Sequence, residues 1–312
     1  MITETFTFNS SDGKQIFTHK WLPDDASDLK AVIQISHGMA EHSARYERFA
    51  QRLTENNFAV YANDHRGHGQ TEGSVENLGN YADKNGWEMV VNDMRLLTEK
   101  IKTDQPGVPV FIFAHSMGSF IARDYMFTCC EDIQGVVLSG TGGDPGLLGN
   151  AGILISGIES RLRGKKALSK TMDKLSFGSF NKAFKPNRTD FDWLSSDNEE
   201  VDKYVNDPYC GTIFTAGFFS DLLKGIKKIN QFSNIKNIPK DLPVYLFSGA
   251  NDPVGDYTKG VKQVHKSYNK AGIQDLSIKF YENGRHEMLN EVNREEVFTD
   301  VINWFNSHLP ES

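Results

Sequence analysis

The feature that most restricts the fold of this chain is an alternation of short apolar runs with helically periodic segments, broken once by a long insertion. Residues 31–36 (AVIQIS), 58–62 (FAVYA), 108–114 (VPVFIFA) and 133–139 (IQGVVLS) read as strands buried on both faces. Between them, residues 46–53, 89–101 and 120–126 carry apolar side chains at helical spacing. Such an order predicts an α/β protein with a mostly parallel sheet and helices on both faces. The alternation stops near Gly140 and resumes near Asp241, with strands at 243–248 and 276–281 and helices at 259–268 and 295–305. The roughly one hundred residues between are too many for a simple connection and are rich in Lys and Phe. The expected organisation is therefore a core of residues 1–140 and 241–312, with residues 141–240 as a helical cap over the strand ends. Residues 3–8 and 15–21 alternate on either side of Ser10-Ser11-Asp12-Gly13 and predict an antiparallel edge hairpin.

Composition excludes several classes. A net charge of −7 over 312 residues gives no electrostatic footprint for nucleic acid. Three cysteines, two of them neighbours (Cys129 and Cys130) and the third at Cys210, make no disulfide framework, so a reducing cytoplasm is the expected compartment. The start, MITETFTFNSSDGKQ, lacks the basic and apolar regions of a signal peptide. The apolar stretch at residues 151–158 is too short to span a bilayer. Any membrane contact is expected to be peripheral.

The chemistry concentrates at Ala114-His115-Ser116-Met117-Gly118, between a strand and a helix. This is a nucleophile elbow, G-x-S-x-G, with alanine in place of the first glycine. A serine on so tight a turn projects its hydroxyl, and the backbone around it must approach closely, so only small residues fit two positions away on either side. An acid and a base are needed from later strand ends. Asp252 follows the run PVYLFSG and His286 follows LSIKFYE. Asp256 is a rival acid, read as a carboxylate in the first turn of the next helix. The oxyanion hole calls for two backbone N–H groups. Met117, after the nucleophile, supplies one, and Met39, in the loop Ser36-His37-Gly38-Met39-Ala40-Glu41-His42, is the candidate for the other.

The runs SHGMAEHSARYERFAQRL, YANDHRGHGQTEGS, PVFIFAHSMGS and GRHEMLNE closely resemble the monoacylglycerol lipase and lysophospholipase family, which overlaps the serine-aminopeptidase-like hydrolases. The resemblance covers both halves of the core and is thinner in the cap, where DKYVNDPYCG is the most family-like stretch. It implies an α/β-hydrolase fold with a helical cap, no cofactor, and a lipid ester as substrate. It also implies Ser116 as nucleophile, His286 as general base and then acid, and Asp252 as the group that orients the imidazole. Ala114, Ala40 and Ser119 stand where the family often has glycine; none of these changes removes a chemical group. The alternatives within enzymes are a small-ester esterase or a proline-iminopeptidase-type aminopeptidase, which needs carboxylates to hold a substrate ammonium; Glu41 is the residue to watch. An acyltransferase is a further alternative, and a non-catalytic binding module is the reading from a different class.

Other motifs carry less. His65 and His68, in DHRGHG, lack a full ligand set, so no metal is expected there. The glycine-rich GTGGDPGLLGN at 140–150 lacks the P-loop ending and reads as the hinge into the cap. From Glu159 to Arg188 nine basic residues face two acidic ones, interleaved with Leu162, Leu168, Met172, Leu175, Phe177, Phe180 and Phe184. That pattern reads either as a solvated face over a packed cap or as a basic amphipathic surface for anionic lipid.

Overall fold

The computed structural model describes residues 1–129 and 133–310. Eight strands form one sheet in the order β1-β2-β4-β3-β5-β6-β7-β8. The strands β1 (Ile2–Asn9) and β2 (Gln15–Leu22) make the antiparallel edge hairpin, and β2 joins β4 (Phe58–Asn63) antiparallel. The rest of the sheet, β3 (Ala31–Ser36), β5 (Val110–His115), β6 (Gly135–Ser139), β7 (Val244–Gly249) and β8 (Leu276–Tyr281), is parallel. Every residue of β3 to β7 is buried, which is why these runs are apolar on both faces. Side chains alternate between two layers: Ile112 and Ala114 join one core, Phe111 and Phe113 the other. The helices α2 (Gly86–Asp104), α3 (Met117–Thr128) and α9 (Lys259–Ala271) cover the first layer, and α1 (Glu47–Thr54) and α10 (Arg294–Ser307) cover the second.

The strand order reverses at β3. Its chain neighbour β4 lies on one side and β5 on the other, so a crevice opens beyond the carboxyl ends of β3 and β5. Ser36 is paired with Ala114 across that boundary. The loop after β3 and the turn after β5 therefore face each other.

Between β6 and β7 run α4 (Gly146–Arg163), α5 (Lys170–Phe177), α6 (Asn198–Asn206), α7 (Ala216–Ile229) and the short α8 (Phe232–Ile235). The helix α7 joins the main core through Phe218, Phe219, Leu222 and Ile229. Gly225 lets it lie on the Trp87 indole of α2, where any Cβ would collide. Beside it, Trp87 Nε1 donates to Asp124 at 2.7 Å and Lys228 pairs with Asp124 at 2.9 Å.

Of the apolar residues interleaved in the basic stretch, the phenylalanines turn inward and Leu162, Leu168 and Leu175 outward. Phe177 and Phe180 pack on Trp193, with ring centroids 6.1 and 5.0 Å away, and Phe184 lies under the Arg285 guanidinium. The phenylalanines face the protein because an aromatic cluster is available to bury them. The leucines turn to solvent: on α4, Leu147 is 87 % exposed, Leu148 83 %, Leu154 64 % and Leu162 81 %, and beyond it Leu168 and Leu175 are exposed too. Among the described residues no helix is long and apolar enough to cross a membrane.

Three buried histidines knit the loops after β3 and β4. His37 Nε2 accepts the His65 N–H at 2.9 Å, which leaves Nδ1–H to donate to the Gly38 carbonyl at 2.7 Å. His65 Nε2 meets Ser36 Oγ at 3.0 Å, and His68 Nδ1 meets the Arg66 carbonyl at 2.8 Å. His68 packs its ring on Phe214 and Phe218. Burial, and the neighbouring imidazoles, hold all three below the ordinary histidine pKa, so they fold as neutral rings. Groups whose folded pKa is depressed bind protons first in the unfolded chain, so stability is full above about pH 6.5 and falls as pH drops below it. Each such ring contributes a slope of about 1.4 kcal/mol per pH unit. His115 adds to the effect and His286 opposes it. Urea midpoints at pH 7.5, 6.5 and 5.5 should fall steeply over the last unit; a flat series would mean that these rings charge without penalty.

Candidate active site

Ser116 sits between β5 and α3 with φ 51° and ψ −120°, a conformation a non-glycine residue adopts only under constraint. Its N–H donates to the Ser139 carbonyl of β6 at 2.9 Å, and Ser119 Oγ donates to its carbonyl at 2.5 Å. The serine at position 119, where the family often has glycine, thus adds a bond. Gly118 lies against the Ser36 and His37 carbonyls, and a Cβ there would overlap the Ser36 oxygen. Ala114 points its methyl into the core, so the extra carbon lies away from the turn.

Asp252 and His286 come from the loops after β7 and β8. These loops touch because Gly249 lies on the Gly284 and Arg285 carbonyls, leaving no room for a Cβ, and because Asn251 N–H donates to the Gly284 carbonyl at 2.9 Å. The His286 Nδ1 lies 3.0 Å from both carboxylate oxygens of Asp252. Asp252 is fully buried and also accepts from Val254 N–H at 2.9 Å and Ser248 Oγ at 3.2 Å, so its carboxylate is fixed in place.

Asp256 is not a first-turn residue as the sequence suggested. Asp256, Tyr257 and Thr258 all have positive φ, which forbids a helical turn, so α9 begins only at Lys259. The Asp256 carboxylate is exposed and pairs with Lys259 at 3.7 Å.

Met39 and Met117 both line the cavity onto which Ser116 and His286 open. The Met117 N–H is at the first turn of α3, where amides have no intrahelical acceptor. The loop that presents Met39 is held by Glu41. Its Oε1 accepts the Gly38 N–H at 2.6 Å and the Tyr46 hydroxyl at 2.9 Å, and its Oε2 accepts Arg45 Nη1 at 2.7 Å. Arg45 also forks onto Glu287, with 2.7 Å from each nitrogen to its carboxylate oxygen. Glu41 is therefore committed to three partner groups and is not available to hold a substrate ammonium.

Sequence reasoning missed this buried Glu41–Arg45–Glu287 network, although Glu287 adjoins His286 and Glu41 lies two residues after Met39. It also missed the rings on either side of the imidazole: His115 with centroid 4.7 Å away and Trp193 at 5.1 Å. His115 is pushed down to about 4 by burial and by His286, so it stays neutral beside a histidine that charges. Burial lowers the His286 pKa, but the Asp252 carboxylate outweighs it, helped by Glu287 and Glu41, and the net shift is upward.

The cavity measures about 560 Å³, within the range of small-molecule sites. Phe177, Phe180, Phe219, Leu222, Leu223 and Ile226 make its walls largely apolar, with Asp173, Lys174, Ser176, Asn181 and Asp190 among the polar exceptions. A buried base held by a carboxylate, a serine on a strained turn and amides at a helix start can together transfer an acyl group to a hydroxyl.

A family model described as serine aminopeptidase, S33, matches residues 27–293. Human monoglyceride lipase is 30 % identical over 302 residues, covering 95 % of this chain and 88 % of that protein. The monoacylglycerol lipase of Mycolicibacterium smegmatis is 28 % identical over 306 residues, covering 97 % of each. Among solved structures, a thermostable carboxyl esterase from Bacillus coagulans in complex with glycerol superposes with a TM-score of 0.92 at 27 % identity, covering 99 % of this chain and 100 % of that one.

The two aspartates should behave oppositely. Asp252→Asn should lower kcat by about 10⁴-fold, because the imidazole loses the charge that orients and stabilises it. Asp256→Asn should leave kcat within about twofold, as expected of an exposed pair. Because the base must be neutral, kcat/KM should fall with decreasing pH through an apparent pKa above the ordinary 6.5 of histidine. A limb below 6.5, or a silent Asp252→Asn, would remove Asp252 from this role.

Proposed function

The chain belongs to the serine aminopeptidase, S33, family, and from that premise we propose that it hydrolyses monoacylglycerols through an acyl-enzyme on Ser116. It is a carboxylic ester hydrolase, of the kind its monoglyceride lipase relatives are named for. The observation that carries the reading is a mainly apolar cavity with Ser116 and His286 at its wall and Asp252 behind the imidazole. An apolar chamber suits an acyl chain, and the commitment of Glu41 to Arg45, Tyr46 and Gly38 disfavours a free amino terminus.

In this mechanism His286 Nε2 takes the Ser116 hydroxyl proton as Oγ attacks the ester carbonyl. The oxyanion of the tetrahedral intermediate is received by the N–H groups of Met39 and Met117. The imidazolium, stabilised by Asp252, returns the proton to the departing glycerol oxygen. Water then enters, loses a proton to His286 and releases the fatty acid. The segment of residues 141–240 acts as a cap that walls the chamber. The protein carries out each step with its own side chains and amides, without a cofactor.

The partner reading is finer and belongs to the same proposal. Leu147, Leu148, Leu154 and Leu162 face solvent on α4, and Arg161, Arg163, Lys165 and Lys166 follow at its end. An exposed apolar helix next to cations suits the surface of anionic lipid aggregates, where substrate resides.

Three outcomes test the proposal. Ser116→Ala should lower turnover by about 10⁴-fold or more. Across monoacylglycerols of increasing short-chain length, kcat/KM should rise by about fourfold per methylene, the equivalent of about 0.8 kcal/mol each, until the chamber is filled. Equal rates on all lengths, or better cleavage of proline amides, would overturn the acyl reading. The double variant Leu147→Asp, Leu148→Asp should lose co-sedimentation with anionic vesicles at low salt while hydrolysing a short soluble ester normally. Vesicle binding unchanged by that variant would place the lipid contact elsewhere.

A further inference from the structure

The turn at residues 207–211, between α6 and α7, folds onto the loop that presents Met39. The Asp207 carbonyl accepts the Cys210 N–H at 3.0 Å, and Asp207 Oδ1 accepts the Tyr209 N–H at 2.9 Å. These bonds curl Asp-Pro-Tyr-Cys so that a carboxylate and a thiol face one imidazole. His42 Nε2 lies 2.9 Å from Asp207 Oδ2. One ligand atom from each of His42, Asp207 and Cys210 lies within 4.8 Å of the other two, and all three side chains are half-buried. Immediately beyond, the Gly211 N–H and the Tyr204 hydroxyl both donate to the Ala40 carbonyl, at 3.0 and 2.9 Å.

We propose that His42, Asp207 and Cys210 form a binding site for a thiophilic divalent cation of the zinc class. An imidazole, a carboxylate and a thiol make a borderline-soft donor set, which selects zinc-like ions over magnesium or calcium. Three protein ligands leave the fourth tetrahedral position to water. One thiolate and one carboxylate balance the charge of a divalent ion, with the imidazole neutral. The nearby Arg45 does not oppose the cation strongly, because its own charge is matched by Glu41 and Glu287. As the Sγ–metal bond forms, the Cys210 proton passes to water. The imidazole binds through the nitrogen now facing Asp207 and carries its proton on Nδ1. Oδ1 of Asp207 stays pinned by the Tyr209 amide, so Oδ2 is already oriented as a ligand.

None of the three residues lines the substrate cavity, so the ion takes no part in the acyl transfer. It clamps the 207–211 turn to residues 40–42, on the loop that holds the Met39 amide. The site stands on its own geometry and does not depend on the identity of the substrate.

The test uses the full chain with Cys129→Ser and Cys130→Ser, which leaves Cys210 as its one thiol. Titration with cadmium should develop a thiolate-to-metal charge-transfer band that saturates at one equivalent and is displaced by zinc. Zinc in about hundredfold excess over its dissociation constant should raise the melting temperature by several degrees. Cys210→Ser should abolish the band, and His42→Ala and Asp207→Asn should each weaken binding about tenfold or more. Normal hydrolysis of a short soluble ester by Cys210→Ser would show that its loss of binding is not misfolding. Absence of the band in the parent, or equal affinity in His42→Ala and Asp207→Asn, would overturn the site.

Discussion

Everything at this site depends on holding one serine in a left-handed backbone conformation at the end of β5. A residue at φ 51° and ψ −120° stores strain of order 1–3 kcal/mol. Three neighbours hold it there: β6 through the Ser139 carbonyl, α3 through Ser119, and β3 through the Ser36 carbonyl that presses on Gly118. None of these could act from a flexible support. The fully buried strands β3, β5 and β6 supply the rigidity, so the apolar character of the sheet and the posture of the serine are a single problem. The reversal of strand order at β3 matters for the same reason, since it brings the loop after β3 to the turn after β5.

A second constraint joins the two sides of the crevice. Arg45, with only 12 % of its side chain exposed, lies between the buried Glu41, on the loop after β3, and the buried Glu287, next to His286. Burying such a cation is unfavourable unless it is fully paired, and removing one partner of a buried pair typically costs about 3–5 kcal/mol. The loops bearing Met39 and His286 are thus linked by charge as well as by packing. With one cation and two carboxylates the network is net negative, which favours the charged imidazole of His286. One set of side chains therefore sets loop geometry and raises the pKa of His286. This explains why Glu41, the obvious carboxylate for an amine substrate, is unavailable for one.

The legible and illegible parts of the sequence divide along range of interaction. The positions of Ser116, Asp252 and His286 beyond the ends of β5, β7 and β8 were legible because each comes after an apolar run that reads as a strand; their roles belong to the proposal. Asp256 could not be placed, because nothing local announces three successive left-handed residues before α9. The Glu41–Glu287 link and the contact of Trp193 with His286 join residues far apart in the chain, and no period or spacing encodes such contacts. The basic segment at 159–188 showed its charge correctly, but not which apolar residues turn inward. Phe177, Phe180 and Phe184 find Trp193 and Arg285 to pack on, whereas Leu147 and Leu148 find nothing comparable.

The same packing limits how the proposed cap can vary. Its helix α7 shares the main core with α2 and α3, and its Trp193 lies against the His286 imidazole. His286 and Glu287 also donate their N–H groups to the Trp193 and Leu194 carbonyls, at 3.4 and 2.7 Å. These parts of the insertion are continuous with the chemistry and change only with it. By contrast, α4 is largely solvent-facing, and α5 meets the chamber through Asp173, Lys174, Ser176 and Phe177. Of the two, only α5 meets the chamber, and it does so away from the turn that strains Ser116. The helix α7 joins the two regions, since Phe219, Leu222, Leu223 and Ile226 wall the chamber while Phe218 and Ile229 pack in the main core.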